Sequence, residues 1–332
     1  MLEALPPDET VDLGGMLDLA TPWCLHVAAT LRIPRLIGNG HCDIDDLAWA
    51  AGCDRDALHA LLGHLVSKGV FRESAPGQFA SNAAAEQLAD ATRFLDLDGI
   101  GGRMAHAWGT MLTYVRTGRS GYQDVFGLPF WDDLAAHPEV AAEFDALMGP
   151  PGHGVPDWDI ELTGGWDEIR EIVDVGGGTG TLLASLLRRH PHVHGTLVDL
   201  PPTVARADLG DVADRAATVG QSFFDPLPVG ADLYVLKSVL NDWPEAETVA
   251  ILRRCGEAAT TSTKVVVIGG VAPDGAPRSL SIDMLVAGGK TSTITQFREQ
   301  AAQAGLEIVT AGPQTSGQFV VECRLSAEGN HL

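Results

Sequence analysis

Apolar residues in the first third of the chain recur on the three- and four-residue period of an α-helix, in short runs broken by glycine and proline. LATPWCLHVAATLRIPRLI, counted from Leu19, is one such run. IDDLAWAAG follows and closes on Gly52, a residue suited to a helix C-terminus. Asp54 then stands at the N-cap of RDALHALLGHLVSKGV, whose Leu58, Leu61, Leu62 and Leu65 form one stripe. VFRESAPGQFAS reads as a short hairpin turning at Pro76-Gly77. Helices followed by a hairpin make a winged-helix pattern, expected over residues 1–95.

Residues 96–155 keep a helical texture, with aromatic and small residues in RMAHAWGTMLTYVRTG and FWDDLAAHPEVAAEFDALM. GPPGHGVPDWD is rich in Gly and Pro and reads as a hinge. From Ile172 strand-like runs alternate with helical ones: EIVDVGGG, TLLASLLRRH, GTLVDLP, ADLYVLKSVL, TVAILRRCGEAA, KVVVIGGV, FREQAAQAGL and FVVECRL. The expectation is therefore an α/β chain. A Rossmann-like, doubly wound sheet fills a C-terminal domain over 156–332, behind an all-α, winged-helix-like dimerisation domain, with 96–155 as substrate lid and linker. A chain of 332 residues has room for this, because one core seldom grows past about 250–300 residues.

Charge narrows the function. A net charge of −22 argues against nucleic acid as a partner, since phosphate contact needs a basic footprint and RDALHALLGHLVSKG has few cations. No apolar run reaches membrane-spanning length, so no membrane partner is expected. The opening MLEALPPDETVDL is acidic where an export signal would be basic, and a cytoplasmic location is expected. The five cysteines, Cys24, Cys42, Cys53, Cys255 and Cys323, are odd in number, widely spaced and without a CxxC pair. They read as reduced thiols rather than a disulfide framework or a metal site.

The chemistry concentrates in IVDVGGGTG, residues Ile172–Gly180. An apolar strand reaches Asp174, glycines at 176, 178 and 180 let the backbone approach a ligand, and a helix begins. A glycine turn alone could hold a pyrophosphate. A carboxylate just before it repels a diphosphate and attracts an ammonium group. Asp199 ends the next strand 19 residues after Gly180, where an acceptor can take both ribose hydroxyls of an adenosine.

IVDVGGGTG, GTLVDLP, GQSFFDPLP and DLYVLKSVLNDWPEAETVAILRRC, in that order, resemble the plant caffeate-type and bacterial polyketide-tailoring O-methyltransferases, and the likeness covers most of the chain. The resemblance implies S-adenosylmethionine as cofactor and S-adenosylhomocysteine as its product. It places Asp174, Gly176 and Gly178 along the methionine and ribose end, Asp199 on the ribose and Leu200 beside the adenine. Ser222 and Phe223 fall where the family edges and stacks on adenine, and Lys237 and Trp243 match further cofactor positions. A homodimer acting on a small molecule is also implied.

One part of the pattern is missing. Where the family reads VLHDW, with histidine as general base, this chain has Asn241. The two glutamates that orient the histidine are replaced by Gly269 and Thr291, and the residue after the second is Ser292. Asparagine can orient a hydroxyl but cannot take its proton. A phenol loses its proton near pH 10, so a positioned base contributes about 10²–10⁴-fold. Transfer by proximity and alignment suffices for an acidic acceptor. Another base is the alternative, with His106 in the helical roof and His153 in the hinge as candidates; Asp242 and Arg103 are candidates for substrate contact, and Asn241, against which the acceptor would sit, joins Asp242 in the catalytic set. The leading reading is a methyltransferase, most naturally an O-methyltransferase, of a small aromatic or polyketide-type metabolite. The alternative is an enzyme on the same scaffold that uses the sulfonium only as a charge, in a hydroxylation, decarboxylation or pericyclic step. A non-catalytic sensor would call for a basic recognition helix, which the sequence lacks.

Overall fold

The computed structural model describes residues 12–148, 159–277 and 280–327. They fall into two compact units, one ending at Ala105 and the other beginning at His106. The hinge read from GPPGHGVPDWD lies almost wholly outside the described residues.

The first unit carries helices Ala20–Thr30, Ile33–Gly38, Ile44–Ala51, Arg55–Ser67 and Ala83–Asp90, with a hairpin of β1 (Arg72–Ala75) and β2 (Gln78–Ala80). Local chemistry sets the boundaries. The Asp54 carboxylate accepts the Ala57 N–H at 2.8 Å, Gly52 ends its helix in the left-handed region, and Gly77 turns the hairpin at φ +72°. The first apolar run is two helices, not one. Pro34 lacks an N–H, so the chain breaks at Arg32, φ +57°, and restarts with Pro34 in its first turn. Leu58, Leu62 and Leu65 are buried with Ile33, Leu47, Phe71 and Phe79, while Leu61 sits at the edge of that core.

The second unit is built on one sheet. Its strands are β3 (Glu171–Val175), β4 (His194–Asp199), β5 (Ala216–Gly220), β6 (Leu233–Lys237), β7 (Lys264–Ile268), β10 (Leu306–Pro313) and β11 (Phe319–Leu325), with β8 (Val271–Ala272) and β9 (Ser292–Thr293) forming a separate short pair. Their spatial order is β10-β11-β7-β6-β3-β4-β5, parallel except for β11, which runs antiparallel to both neighbours. Both faces are covered, which is why the strands read as unbroken apolar runs. Val173, Val175, Tyr234, Leu236, Val265 and Val267 pack into one core with the helices Glu245–Ala258 and Ile294–Gln303. Ile172, Leu233, Val235, Val266 and Ile268 alternate onto the other, against Leu183 and Leu186 of the helix Thr181–Arg189. No described helix is long and apolar enough to cross a membrane.

Strand order fixes where a ligand goes. From β3 the chain steps outward to β4 and β5, then returns to lay β6 on the other side of β3. That reversal opens a crevice beyond the carboxyl ends of β3 and β6, the position where open α/β sheets bind their ligands.

Candidate active site

A cavity of about 680 Å³ lies at that crevice, and all its lining residues belong to the second unit. The volume is that of a cofactor or small-molecule site. Asp174, Gly176, Gly178, Asp199, Leu200, Ser222, Phe223, Lys237 and Trp243 all line it. Three strands deliver the charged groups: Asp174 lies within β3, Asp199 ends β4 and Lys237 ends β6.

Asp174 is the unusual member. It is 1% exposed, and neither carboxylate oxygen has a hydrogen-bond partner among the described residues. Burial first, and the Asp199 carboxylate second, push its carboxyl up to about 7. A buried carboxylate without a partner is costly, so the group fits a cation-bearing ligand that supplies the missing partner. The glycine turn holds it in place. A Cβ on Gly177 would stand 2.5 Å from the Asp174 carboxyl carbon, so the tight packing needs glycine where the alternating pattern did not point. Gly176, Gly178 and Gly180 take φ values of +66°, +62° and +89°.

Asp199 is better partnered. Its Oδ2 accepts the Gly178 N–H at 2.8 Å and its Oδ1 accepts the Leu200 N–H at 2.7 Å, which ties the end of β4 to the turn after β3. Burial raises its carboxyl while those two N–H groups pull it back down. Burial lowers the Lys237 ammonium, with Asp174 opposing. Leu200 is 40% exposed on the cavity wall. Ser222 Oγ accepts the Phe224 N–H at 3.2 Å, so it serves its own turn as well as lining the cavity.

The walls hold aromatic residues that sequence reasoning did not single out. Trp131 stacks on Trp243 with ring centroids 5.9 Å apart and planes 17° from parallel, and its buried indole N–H has no partner among the described residues. Phe223 and Phe224 meet Trp243 edge-on at 5.8 and 4.9 Å. Across the same cavity Asp145 pairs with Arg206 and accepts Thr203 Oγ1 at 3.3 Å, tying the helix Pro138–Met148 to the segment Pro201–Val204. FWDDLAAHPEVAAEFDALM carried no signal for these contacts beyond its aromatic content.

The catalytic candidates separate. Asp242 lines the cavity and Asn241 does not; the Asn241 amide instead donates from Nδ2 to Asp242 Oδ1 at 2.8 Å. Arg103 and His106 lie on the helix Ile100–Trp108, Arg103 in the first unit and His106 at the start of the second, where it does not line the cavity; the exposed His106 ring meets Phe126 edge-on at 6.3 Å. His153 lies outside the described residues. At the vacated glutamate positions, Gly269 adopts φ +78°, a conformation a glutamate takes only with strain, and Thr291 is exposed. Ser292 is buried and bonded to Gln300 at 3.2 Å.

The sheet, its switch-point cavity and its acidic strand ends define a nucleoside-cofactor enzyme of the Rossmann-like class. An O-methyltransferase domain matches residues 108–307. The 2,7-dihydroxy-5-methyl-1-naphthoate 7-O-methyltransferase of Streptomyces carzinostaticus is 39% identical over 319 residues, covering 91% of this chain and 94% of its own. The aclacinomycin 10-hydroxylase RdmB of Streptomyces purpurascens is 34% identical, covering 94% and 88%. The crystal structure of the O-methyltransferase NcsB1 from neocarzinostatin biosynthesis, in complex with S-adenosylmethionine and 2-hydroxy-5-methyl naphthoic acid, matches with a TM-score of 0.81 at 38% identity, over 96% of this chain and 99% of that one. The chain belongs to the S-adenosylmethionine-dependent O-methyltransferase family.

Asp174→Asn is expected to weaken S-adenosylhomocysteine binding about 10- to 100-fold, the loss of a charged hydrogen bond. The ligand-free chain should gain from the change. With its carboxyl raised from an ordinary 3.8 to about 7 in the fold, Asp174 costs stability progressively as pH rises from about 4 to about 7, and asparagine removes that decline. Titration calorimetry above pH 7 and thermal unfolding between pH 4.5 and 7.5 read the two, and unchanged affinity would contradict the assignment.

Proposed function

We propose that this enzyme methylates a ring hydroxyl of a small aromatic acceptor of the hydroxynaphthoate class. The observation that carries it is the buried Asp174 carboxylate, unpartnered and aimed at the switch-point cavity, beside a second carboxylate suited to a ribose. A relative named for naphthoate methylation, and a neighbouring structure holding a naphthoic acid, point to the acceptor class.

Asp174 would hold the ammonium end of the cofactor and Asp199 its ribose hydroxyls, with Leu200, Ser222 and Phe223 around the adenine. When bound, S-adenosylmethionine supplies an electrophilic methyl group on a sulfonium. The stacked Trp131 and Trp243, with Phe144 and Leu134, give the cavity apolar walls that exclude water and receive a flat ring. Asn241 acts by holding its neighbour in place rather than by removing a proton.

A second reading has its own support. The asparagine in place of histidine, and a hydroxylase at 34% identity, fit a scaffold turned from methyl transfer to hydroxylation. One incubation separates the two. With 2,7-dihydroxy-5-methyl-1-naphthoate and labelled cofactor, methyl transfer yields S-adenosylhomocysteine in step with a labelled product, whereas product formed with the cofactor unchanged would overturn it.

The assembly proposed rests on the first unit. Leu13, Met16, Leu17 and Leu19 are 66–76% exposed, and Trp23 is 42% exposed. Such a patch fits burial against a second copy, and a homodimer working in the cytoplasm is the form proposed. Sedimentation should give twice the 35.0 kDa chain mass, and a monomer at micromolar concentration would contradict it.

A further inference from the structure

With asparagine at the histidine position and both glutamate positions vacated, the proton of an acceptor hydroxyl needs another destination. Asp242 has the geometry to receive it. It sits in the short 3-10 segment Leu240–Asp242, three residues past the end of β6, where its N–H donates to the Val239 carbonyl at 3.1 Å. Gly289 packs onto this backbone so closely that a Cβ there would come within 1.9 Å of the Asn241 carbonyl oxygen and 2.5 Å of the Asp242 carbonyl carbon. The Asp242 side chain lines the cavity together with Asp174, Lys237 and Trp243. Asn241 Nδ2 donates to Oδ1 at 2.8 Å, so one carboxyl oxygen is held by Asn241, and the other, Oδ2, has no donor among the described residues.

We infer that Asp242 accepts the proton of the acceptor hydroxyl, with Asn241 as the residue that positions it. This rests on the methyl-transfer reading. The hydroxyl gives its proton to Asp242 Oδ2, and its oxygen keeps the electron pair for the new O–CH₃ bond. The electron pair of the broken S–CH₃ bond stays on sulfur, which becomes a neutral thioether. Asp242 then passes the proton to solvent as product leaves.

Basicity is the second part of the match. Burial first, and then the Asp283 carboxylate of the segment Ile282–Val286, push the Asp242 carboxyl up to about 8. That is about 2 units below a phenol, where an ordinary aspartate is about 6 below, and proton transfer is efficient when the gap is small. No cation offsets this among the described residues. Lys290, next to Gly289, pairs with Glu245 at 3.3 Å, while Lys237 and Asp174 line the same cavity without bonding to Asp242.

The test uses the full chain, with 2,7-dihydroxy-5-methyl-1-naphthoate as acceptor probe and two readouts. In the first, turnover with S-adenosylmethionine is followed against pH. Wild-type kcat should rise to a plateau with a midpoint near 8, and Asp283→Asn should move that midpoint down. Asp242→Asn should lower kcat about 10²–10⁴-fold and remove the rise near 8, with S-adenosylhomocysteine affinity unchanged. In the second, the naphtholate absorbance of the probe is titrated on chain loaded with S-adenosylhomocysteine, where no turnover occurs. Because a carboxylate beside the hydroxyl opposes a second negative charge, the bound probe should ionise at higher pH in wild type than in Asp242→Asn, and equal ionisation in the two would overturn the contact. Asp242→Asn turning over within about fivefold of wild type, or keeping the midpoint, overturns the proposal. If Asp242→Asn loses the site altogether, an unmoved midpoint in Asp283→Asn overturns it. A wild-type complex whose probe ionises at higher pH than in Asp242→Asn, yet forms no methylated product, supports Asp242 against the hydroxyl and sinks the methyl-transfer reading alone.

Discussion

A carboxylate buried in a strand without a partner is the constraint around which the second unit is arranged. Asp174 occupies a position in β3 where alternation would put an apolar side chain, between the buried Val173 and Val175. Burying a charge there costs several kcal/mol unless an opposite charge or donors meet it. Burial and Asp199 raise the group to about 7, and Lys237 offsets its charge only in part. Gly177 has no side chain to displace the carboxylate, and Asp199 carries acceptors for the sugar that follows.

Sheet order does the rest. Because the chain reverses direction in the sheet at β3, the ends of β3, β4 and β6 open on one crevice. Residues 174, 199 and 237, far apart in sequence, line a single cavity as a result. The convergence of Asp174 and Asp199 could be read from the strand-ending carboxylates and the glycine turn, whereas Lys237 was marked only by the family resemblance. What sequence could not carry was the aromatic wall. Trp131 and Phe144 reach the cavity from the helices Phe130–Ala136 and Pro138–Met148, and nothing in their spacing marks them as lining rather than core. The break at Arg32 was legible in principle, since Pro34 announces it, but the apolar period runs through it unbroken.

The catalytic centre shows how a missing residue can misdirect. Asn241 marks the departure from the family pattern and so attracts a catalytic role, yet its side chain turns to Asp242, and it is Asp242 that lines the cavity. The glycines that replace or flank the family's acids pack against the same turn. Gly269 lies beside Ser238, which is itself held at φ +56°, and a Cβ on Gly270 would come within 2.9 Å of the Asn241 nitrogen. A backbone strained and packed this tightly around one short segment is consistent with a functional position. The carboxyl it presents differs from an ordinary surface aspartate because burial and Asp283 both disfavour its charge.

If Asp174 is a receptor for the cofactor's ammonium, binding must drive it to its ionised form and expel the proton it carries at low pH. Calorimetric titration of S-adenosylhomocysteine in buffers of different ionisation enthalpy measures this directly. Affinity should climb close to tenfold per pH unit up to about 7, with about one proton released per ligand bound at pH 6. Equal affinity at pH 5.5 and 7, with no proton released, would mean that Asp174 does not meet a cation.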